Sequence, residues 1–217
     1  MDVITIAAPA QAEFTEKKSR FIGYISPAVD EQAAQKFLQQ ICARHRDATH
    51  NCYAWQAGAN AEFQRSSDDG EPSGTAGRPI MGVIQGAGLT NVVIVVTRYF
   101  GGILLGTGGL VRAYTQAAQQ AVQAAKLVRL VPARSLALSL TYADWPRLEP
   151  LLPGFGCRVE DVRFTDKVDV RLLAPLRESE RLAARLADVL GKPVQPLRLN
   201  EQAQMAQPPQ AAEYIFA

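Results

Sequence analysis

The sequence predicts an α+β fold with two domains. A short β-branched run, Val92 to Val96, is typical of a strand covered on both faces, and it leads through a glycine-rich loop into an alanine-rich helix. After about Arg134 the order of elements becomes βαββαβ, as in a ferredoxin-like unit. A chain of 217 residues is long enough for two domains that each bury a core. The predicted regions are a first domain over 1–133, a second over 134–200 and a loose tail over 201–217.

The first domain is predicted to begin with a strand over 18–25, which Pro27 ends. Residues 30–46 carry apolar side chains at helical spacing, and Asp30 is suited to cap that helix. An aromatic-rich strand over 50–57 comes next. The remaining predicted elements are a loop over 58–75, a helix over 76–87, a strand over 91–100 and a helix over 108–127.

The second domain has shorter elements. Alternating leucines over 135–142 predict a strand, and Asp144 is a candidate cap for a short helix after it. A turn at Thr165-Asp166-Lys167 separates two further strands, and a helix and a last strand follow. The predicted bounds are 157–165 and 167–174 for the two strands, 178–190 for the helix and 194–199 for the last strand.

Composition excludes several classes of protein. Hydrophobic residues make up 47% of the chain, but no apolar run has the roughly 18 residues that a membrane span needs. The first residues lack the pattern of a signal peptide. Three cysteines without C-x-x-C spacing argue against a disulfide framework and a zinc site. The net charge of +2 is far below that of a strongly basic nucleic-acid binder. A cytoplasmic location and no cofactor are therefore expected.

The loop after the predicted strand over 91–100 is the strongest candidate for a binding site. Its glycines leave backbone N–H groups uncovered, and the next helix directs its positive end towards them, which suits an anion. Two phosphate-binding patterns do not fit, because Thr107 replaces the lysine of a P-loop and Val111 replaces the third glycine of a dinucleotide motif. A tight strand-to-helix corner without a ligand is the alternative. The glycines concerned are Gly101, Gly102, Gly106, Gly108 and Gly109.

A second candidate is the segment SSDDGEPSGTAGRP, which places the carboxylates of Asp68, Asp69 and Glu71 within four positions. Carboxylate oxygens can hold a divalent cation, but the alternating ligand spacing of a calcium loop is absent. Alternatively, these carboxylates cap the predicted helix that follows, or they pair with arginines. The arginines considered for such pairing are Arg20, Arg78, Arg98 and Arg112.

Arg98 ends an otherwise apolar strand, where a buried guanidinium needs a partner. A carboxylate from 68–71 would give Arg98 a structural role, whereas a position facing the glycine loop would make it an anion ligand. His45 and His50 have no ligand at metal-binding spacing, so surface or hydrogen-bonded histidines are expected. No catalytic arrangement is recognisable around Cys52, which favours a protein that is not an enzyme.

Four segments together resemble the IMPACT family and, in layout, its bacterial YigZ-like branch. The resemblance covers roughly residues 14–130. It implies a first domain of the βαβ type shared with ribosomal proteins and with domain IV of the translocating elongation factor. It also implies a ferredoxin-like second domain similar to domain V of that factor. The segments are EKKSRFIGYI, HNCYAW, SDDGEPSGTAGRPI and VTRYFGGILLGTGGLVRAY.

The resemblance implies a link to translation and stress. Eukaryotic members restrain an amino-acid-starvation kinase by competing for its ribosome-associated activator, but their other half is a different domain, so that pathway is not carried over. The bacterial branch offers no established reaction, and its motif residues imply a binding surface. These residues are Arg20, Asp68, Asp69, Glu71, Arg78, Arg98, Tyr99, Gly101, Gly102, Gly106, Gly108, Gly109 and Arg112.

Three functions are compatible with these patterns. The first is a non-enzymatic regulator of translation or stress response that binds RNA, the ribosome or a ribosome-associated protein, and no membrane. The second is a nucleotide- or phosphate-binding enzyme, in which Asp68 and Asp69 hold magnesium and the glycine loop holds phosphate. The third is a protein-interaction module with Tyr99, Phe100 and Leu104 as an exposed anchor. The oligomeric state is left open.

Overall fold

The computed structural model describes residues 2–58, 60–191 and 197–207. Within them the chain forms two compact units, Val3–Arg129 and Leu130–Gln207, and Asp2 groups with the second. Both units combine helices with a sheet, so the predicted α+β fold with two domains is confirmed. No helix in the described part of the chain is long and apolar enough to cross a membrane.

The first unit contains three strands that the sequence analysis did not predict. They are β1 (Val3–Ile6), β2 (Ala10–Glu16) and β5 (Phe63–Ser67), and β5 lies inside the segment predicted as a loop over 58–75. Their residues are mostly exposed or half-buried in β2 and β5, so the alternation that marks a buried strand is weak there. The elements are β1 (Val3–Ile6), β2 (Ala10–Glu16), β3 (Ser19–Pro27), α1 (Glu31–Arg44), β4 (His50–Ala57), β5 (Phe63–Ser67), α2 (Gly77–Gly86), β6 (Val92–Tyr99) and α3 (Thr107–Ala124).

The sheet of the first unit has the order β2-β3-β6-β4-β5, and these neighbours are antiparallel. Strand β6 is central and is covered on both faces. Val92, Ile94 and Val96 belong to the core with α2 and α3, whereas Val93 and Val95 pack in the core with α1. The predicted double coverage of this apolar run is therefore confirmed.

Local signals set the helix positions in this unit. The Asp30 carboxylate accepts a hydrogen bond from the Ala33 N–H at 2.7 Å, which confirms the predicted cap of α1. Helix α3 packs closely on β3 because Gly23 has no side chain. A Cβ at that position would lie 3.0 Å from the Ala117 carbonyl carbon and closer still to its oxygen. The small residues of α3 thus serve close helix-to-sheet packing.

The β2–β3 hairpin turns through Lys17 and Lys18, since Glu16 and Ser19 are already paired. Both lysines have positive φ, 45° and 64°, which a two-residue turn of this kind requires and which Asn or Gly adopts more readily. Gly101 lies against this turn, and a Cβ there would overlap the Lys18 carbonyl. The hairpin and the glycine loop are therefore in direct backbone contact.

The second unit has the predicted ferredoxin-like order. Strands β7 (Leu127–Leu140) and β9 (Val168–Pro175) pair at its centre. Strand β8 (Arg158–Phe164) pairs with β9, and β10 (Leu197–Gln207) pairs with β7. Strand β1 also pairs with β7, whose first residues belong to the first unit. A leucine- and valine-rich core lies between the sheet and its helices. The elements are β7 (Leu127–Leu140), α4 (Trp145–Leu148) with a following 3₁₀ helix (Glu149–Phe155), β8 (Arg158–Phe164), β9 (Val168–Pro175), a 3₁₀ turn (Leu176–Glu178), α5 (Ser179–Leu190) and β10 (Leu197–Gln207).

Apart from shifts of one or two residues, three boundaries differ from the predicted ones, and the predicted start of the last strand, 194–196, lies outside the described residues. Helix α3 ends at Ala124 and not near 127, and β7 begins at Leu127 and not at 135. Buried and half-buried residues alternate from Arg129 to Ser135, so the strand pattern continues across Pro132. Residues 201–207 belong to β10, although the sequence analysis placed them in a loose tail. The polar composition of this segment gives no apolar alternation to predict a strand from. The rest of that tail, 208–217, lies outside the described residues.

We expect Gly23→Ala to lower the free energy of unfolding by about 2 kcal/mol, because the added methyl group would collide with the α3 backbone. Gly82→Ala is the matched control. Gly82 lies exposed in α2 with no atom within 4 Å of an added Cβ, so alanine should stabilise the helix by up to about 1 kcal/mol. Urea unfolding of both variants measures the difference, and equal effects would contradict the close packing of α3.

Candidate functional site

Glu71 holds the acidic loop, residues 68–71, against β6 and α3. Its Oε1 accepts hydrogen bonds from Arg98 Nη1 at 2.6 Å and from the Tyr114 hydroxyl at 2.7 Å. The Glu71 and Arg98 side chains are only 3% and 6% exposed. Burial raises the pKa of Tyr114 well above its usual range, so its hydroxyl remains a donor. The structure favours the structural role of Arg98, because its charge is buried and already compensated.

Asp68 caps helix α2. Its carboxylate accepts three backbone hydrogen bonds, from Gly74 N at 2.8 Å, Ala76 N at 2.9 Å and Gly77 N at 2.8 Å. Burial of the carboxylate opposes ionisation, but these three donors and the nearby Arg78 outweigh it, so the pKa of Asp68 is lowered. Helix capping is one of the predicted alternatives for this loop, and Asp68 has that role.

Asp69 ties the same loop to β4. One Asp69 carboxylate oxygen accepts a hydrogen bond from the Asn51 N–H at 2.6 Å, and the Asp69 backbone carbonyl accepts one from His50 Nδ1 at 2.6 Å. The other ring nitrogen of His50 lies 3.9 Å from Glu71 Oε1. Within the described ranges, no group of three or more His, Cys, Asp or Glu side chains could hold a metal ion. The acidic loop therefore uses its oxygens for contacts within the protein, Asp68 and Asp69 with backbone N–H groups and Glu71 with side chains.

Cys52 lies beneath the acidic loop and is fully buried. Its thiol donates to the Asp68 carbonyl at 2.9 Å. Burial raises the pKa of Cys52 to about 12, so at neutral pH it is a protonated thiol and a poor nucleophile. This position gives no support to nucleophilic catalysis.

The predicted binding residues are divided between the two faces of the sheet. Arg98 points to the side of α2 and α3, whereas its neighbour Tyr99 packs with α1. The Tyr99 hydroxyl is hydrogen-bonded to His45 Nδ1 at 2.8 Å and donates to Asp47 at 3.2 Å. Arg20 pairs with Glu13 at 2.6 Å and lies near the Tyr99 ring. Tyr99 and Arg20 therefore make their contacts with other residues than Glu71, which binds Arg98.

His45 and His50 are both hydrogen-bonded, as the sequence analysis expected. His45 bridges the hydroxyl groups of Tyr24 and Tyr99 at 2.7 and 2.8 Å. Burial, aided by the nearby Arg44 and Arg20 charges, lowers the pKa of His45, so the ring is neutral at pH 7. Both histidines thus hold neighbouring elements together.

The glycine loop combines a packed end with an open end. Gly101 is wedged against the hairpin and its N–H donates to Ser19 Oγ at 3.1 Å. Gly102 and Gly106 have φ values of 81° and 73°, which glycine adopts without strain. At the open end, an added Cβ on Gly102, Gly106 or Gly108 would meet no atom within 4 Å, whereas one on Gly109 would touch Leu105. The first glycine makes a corner, and the later ones leave their backbone accessible.

A cavity of about 220 Å³ lies between the hairpin turn and the first turns of α3. Leu105 and Ala113 contribute apolar surface to it, and Lys17, Arg112 and Glu16 contribute charge. Lys17 and Arg112 are exposed, and neither forms an ion pair with another residue that the structure describes. Arg78 is also exposed but lies at the start of α2, beside Asp68.

Exposed apolar side chains extend this region. Phe100, Ile103 and Leu104 are 45%, 42% and 82% exposed. We name the glycine-loop surface as Lys17, Lys18, residues 100–109 and Arg112. Lys17 and Lys18 were not among the predicted site residues, because two lysines are not a typical sequence for a tight hairpin turn. Of the predicted site residues, this surface contains the five glycines and Arg112.

Glu71→Gln should lower the free energy of unfolding by about 3 kcal/mol, because it leaves the buried Arg98 charge without its counter-ion. Glu13→Gln is the matched control, since it breaks an exposed pair with Arg20 and should change stability only slightly. Chemical denaturation of both variants gives the comparison. A cost at position 71 no larger than that at position 13 would contradict the structural role of the buried pair.

Asp68 should contribute to acid stability. Because its folded-state pKa is lowered, its stabilisation is complete above the unfolded-state value of about 4 and is lost as pH falls through the lower folded-state pKa. Asp68→Asn should therefore reduce stability at pH 7 and flatten the fall in stability below about pH 4. Thermal melts from pH 7 to pH 2 measure this, with exposed Asp166→Asn as the control. If stability falls below pH 4 as steeply in Asp68→Asn as in the unsubstituted protein, the capping contribution is ruled out.

Comparison with known proteins identifies the family. The Impact N-terminal domain model matches residues 17–122, and a domain of unknown function (DUF1949) matches 138–191. The chain is 37% identical to IMPACT family member YigZ of Escherichia coli, over 90% of this chain and 97% of YigZ. It is 34% identical to IMPACT family member YvyE of Bacillus subtilis, over 85% of each. A crystal structure of a hypothetical protein, 35% identical, covers 93% of this chain and 98% of its own with a TM-score of 0.61. The chain belongs to the IMPACT family.

Proposed function

We propose that this protein is a non-enzymatic, cytoplasmic regulator of translation that binds RNA, the ribosome or a ribosome-associated protein through the glycine-loop surface. The observation that carries this proposal is the contrast between two neighbouring loops. In the acidic loop each of the three carboxylates accepts at least one hydrogen bond from elsewhere in the protein. The glycine-loop surface instead presents open backbone and unpaired cations. Membership of the IMPACT family supports the link to translation.

An enzyme that holds magnesium and nucleotide receives less support from the geometry. Such a site would need free carboxylates near the glycine loop. Asp68 accepts three backbone hydrogen bonds and Asp69 accepts one from β4, so each already serves a contact within the protein. Arg98, which the sequence also offered as an anion ligand, is paired with Glu71. We therefore propose binding without catalysis.

Two versions of the binding function make different use of the same surface. Binding to RNA phosphates would depend on Lys17, Lys18 and Arg112 and would weaken steeply with salt. Binding to a protein would also bury the exposed Phe100, Ile103 and Leu104 side chains, which add nothing to contacts with phosphate. The strong exposure of Leu104 is the specific observation in favour of the protein version.

The double variant Lys17→Ala/Arg112→Ala should bind purified ribosomes at least tenfold more weakly than the unsubstituted protein, because both cations are exposed and unpaired. Co-sedimentation at several salt concentrations measures this. If the contacts are to phosphates, the slope of log affinity against log salt should also fall by about 2.

Lys36→Ala is the control for this experiment. Lys36 is exposed on α1, which packs on the opposite face of the first sheet from α3, so its removal should leave binding unchanged. Co-purification on the immobilised chain after nuclease treatment separates the two versions, since a protein partner stays bound and an RNA partner does not. Failure of the unsubstituted protein to bind ribosomes at physiological salt, or equal losses in both variants, would refute the proposal.

A further inference from the structure

The glycine-loop surface is both apolar and positively charged. Phe100, Ile103 and Leu104 expose apolar side chains within five consecutive residues, and the next residue, Leu105, lines a cavity together with Lys17 and Arg112. A surface for single-stranded RNA would be expected to offer flat rings for base stacking. Here Phe100 is the single aromatic side chain of the surface, and the Arg98 guanidinium lies 5.4 Å from its ring centroid. Aliphatic side chains at this density are more typical of a surface that binds protein.

The adjacent cavity has the composition to take one long acidic side chain. Leu105 and Ala113 provide apolar contact for an aliphatic stem, and Lys17 and Arg112 provide two cations for a terminal carboxylate. Glu16 also lines the cavity, so one carboxylate faces two cations and the balance there is positive. At about 220 Å³ the cavity has room for a side chain but not for a folded element.

Charge around the cavity also favours an acidic occupant. Lys17, Lys18 and Arg112 have no carboxylate partner in the described ranges of the chain. Both lysines are held in the turn at positive φ, which costs conformational energy that asparagine or glycine would avoid. Their charges are thus placed at the edge of the apolar patch, where they complement negative charge on a partner.

We propose that the glycine-loop surface binds an acidic, apolar peptide segment of a partner protein. A leucine or phenylalanine of that segment packs on Leu104 and Phe100, and a glutamate enters the cavity between Lys17 and Arg112. This inference rests on the proposed function and narrows its partner to a protein. The longer stem of glutamate reaches the cations, so glutamate is preferred over aspartate.

The test uses a random 12-residue peptide library displayed on phage and selected on the full chain. Parallel selection on the Arg112→Glu chain removes peptides that bind elsewhere. We expect enriched peptides with glutamate next to leucine or phenylalanine. Their affinity, measured with labelled synthetic peptides, should fall at least tenfold for Leu104→Ser and for Arg112→Glu. A peptide with lysine in place of its glutamate should regain binding to the Arg112→Glu chain.

Two exposed positions of the same unit serve as controls. Val29→Ser removes an apolar side chain that is 63% exposed away from this surface, and Lys36→Glu reverses a charge on α1. Both should bind the selected peptides like the unsubstituted chain. No enrichment, enrichment without acidic residues, or equal loss in the controls would overturn the inference.

A separate arm distinguishes this inference from the proposed function. The same variants are tested with ribosomes and with a structured RNA. Binding to ribosomes and to the structured RNA, together with no selected peptide, would overturn the protein partner and leave the function in translation standing. Selected peptides that bind as expected, with no ribosome association, would support the peptide site and refute the proposed function.

Discussion

The buried carboxylate of Glu71 joins three elements that lie far apart in the chain. It accepts a hydrogen bond from Arg98 on β6 and another from Tyr114 on α3, while its own backbone belongs to the acidic loop. A charge so fully removed from water is tolerated only with close partners, which restricts the loop to one position. Because α3 begins directly after the glycine loop, the same contact also fixes where that loop leaves the sheet.

Periodicity predicted the elements that are buried on a defined face. The β6 run is apolar throughout because helices cover both of its faces, and α1 follows its apolar spacing and its Asp30 cap. Strands β2 and β5 escaped prediction because they are edge strands with few buried residues. Their pairing is decided by the neighbouring strand, and this information is not local in the sequence.

For the candidate site, the sequence shows which residue types are present but not which role each one has in the structure. Arg98 and Arg112 look alike in the sequence, yet one is buried against Glu71 and the other is exposed beside a cavity. Alternation along β6 already implied that Arg98 and Tyr99 face opposite sides. Helix capping by this loop was one predicted alternative, but which carboxylate caps α2 and which binds β4 could not be inferred, because both depend on how the loop folds.

The reactivity of the buried Cys52 thiol depends on whether the acidic loop is in place above it. Its sulfur lies under the loop with its proton directed to the Asp68 carbonyl, and alkylating reagents react with exposed thiolates. Modification therefore requires the loop to separate from β4, at least briefly. The rate of labelling at this one atom would measure how often the junction between loop, sheet and helix opens while the rest of the protein remains folded.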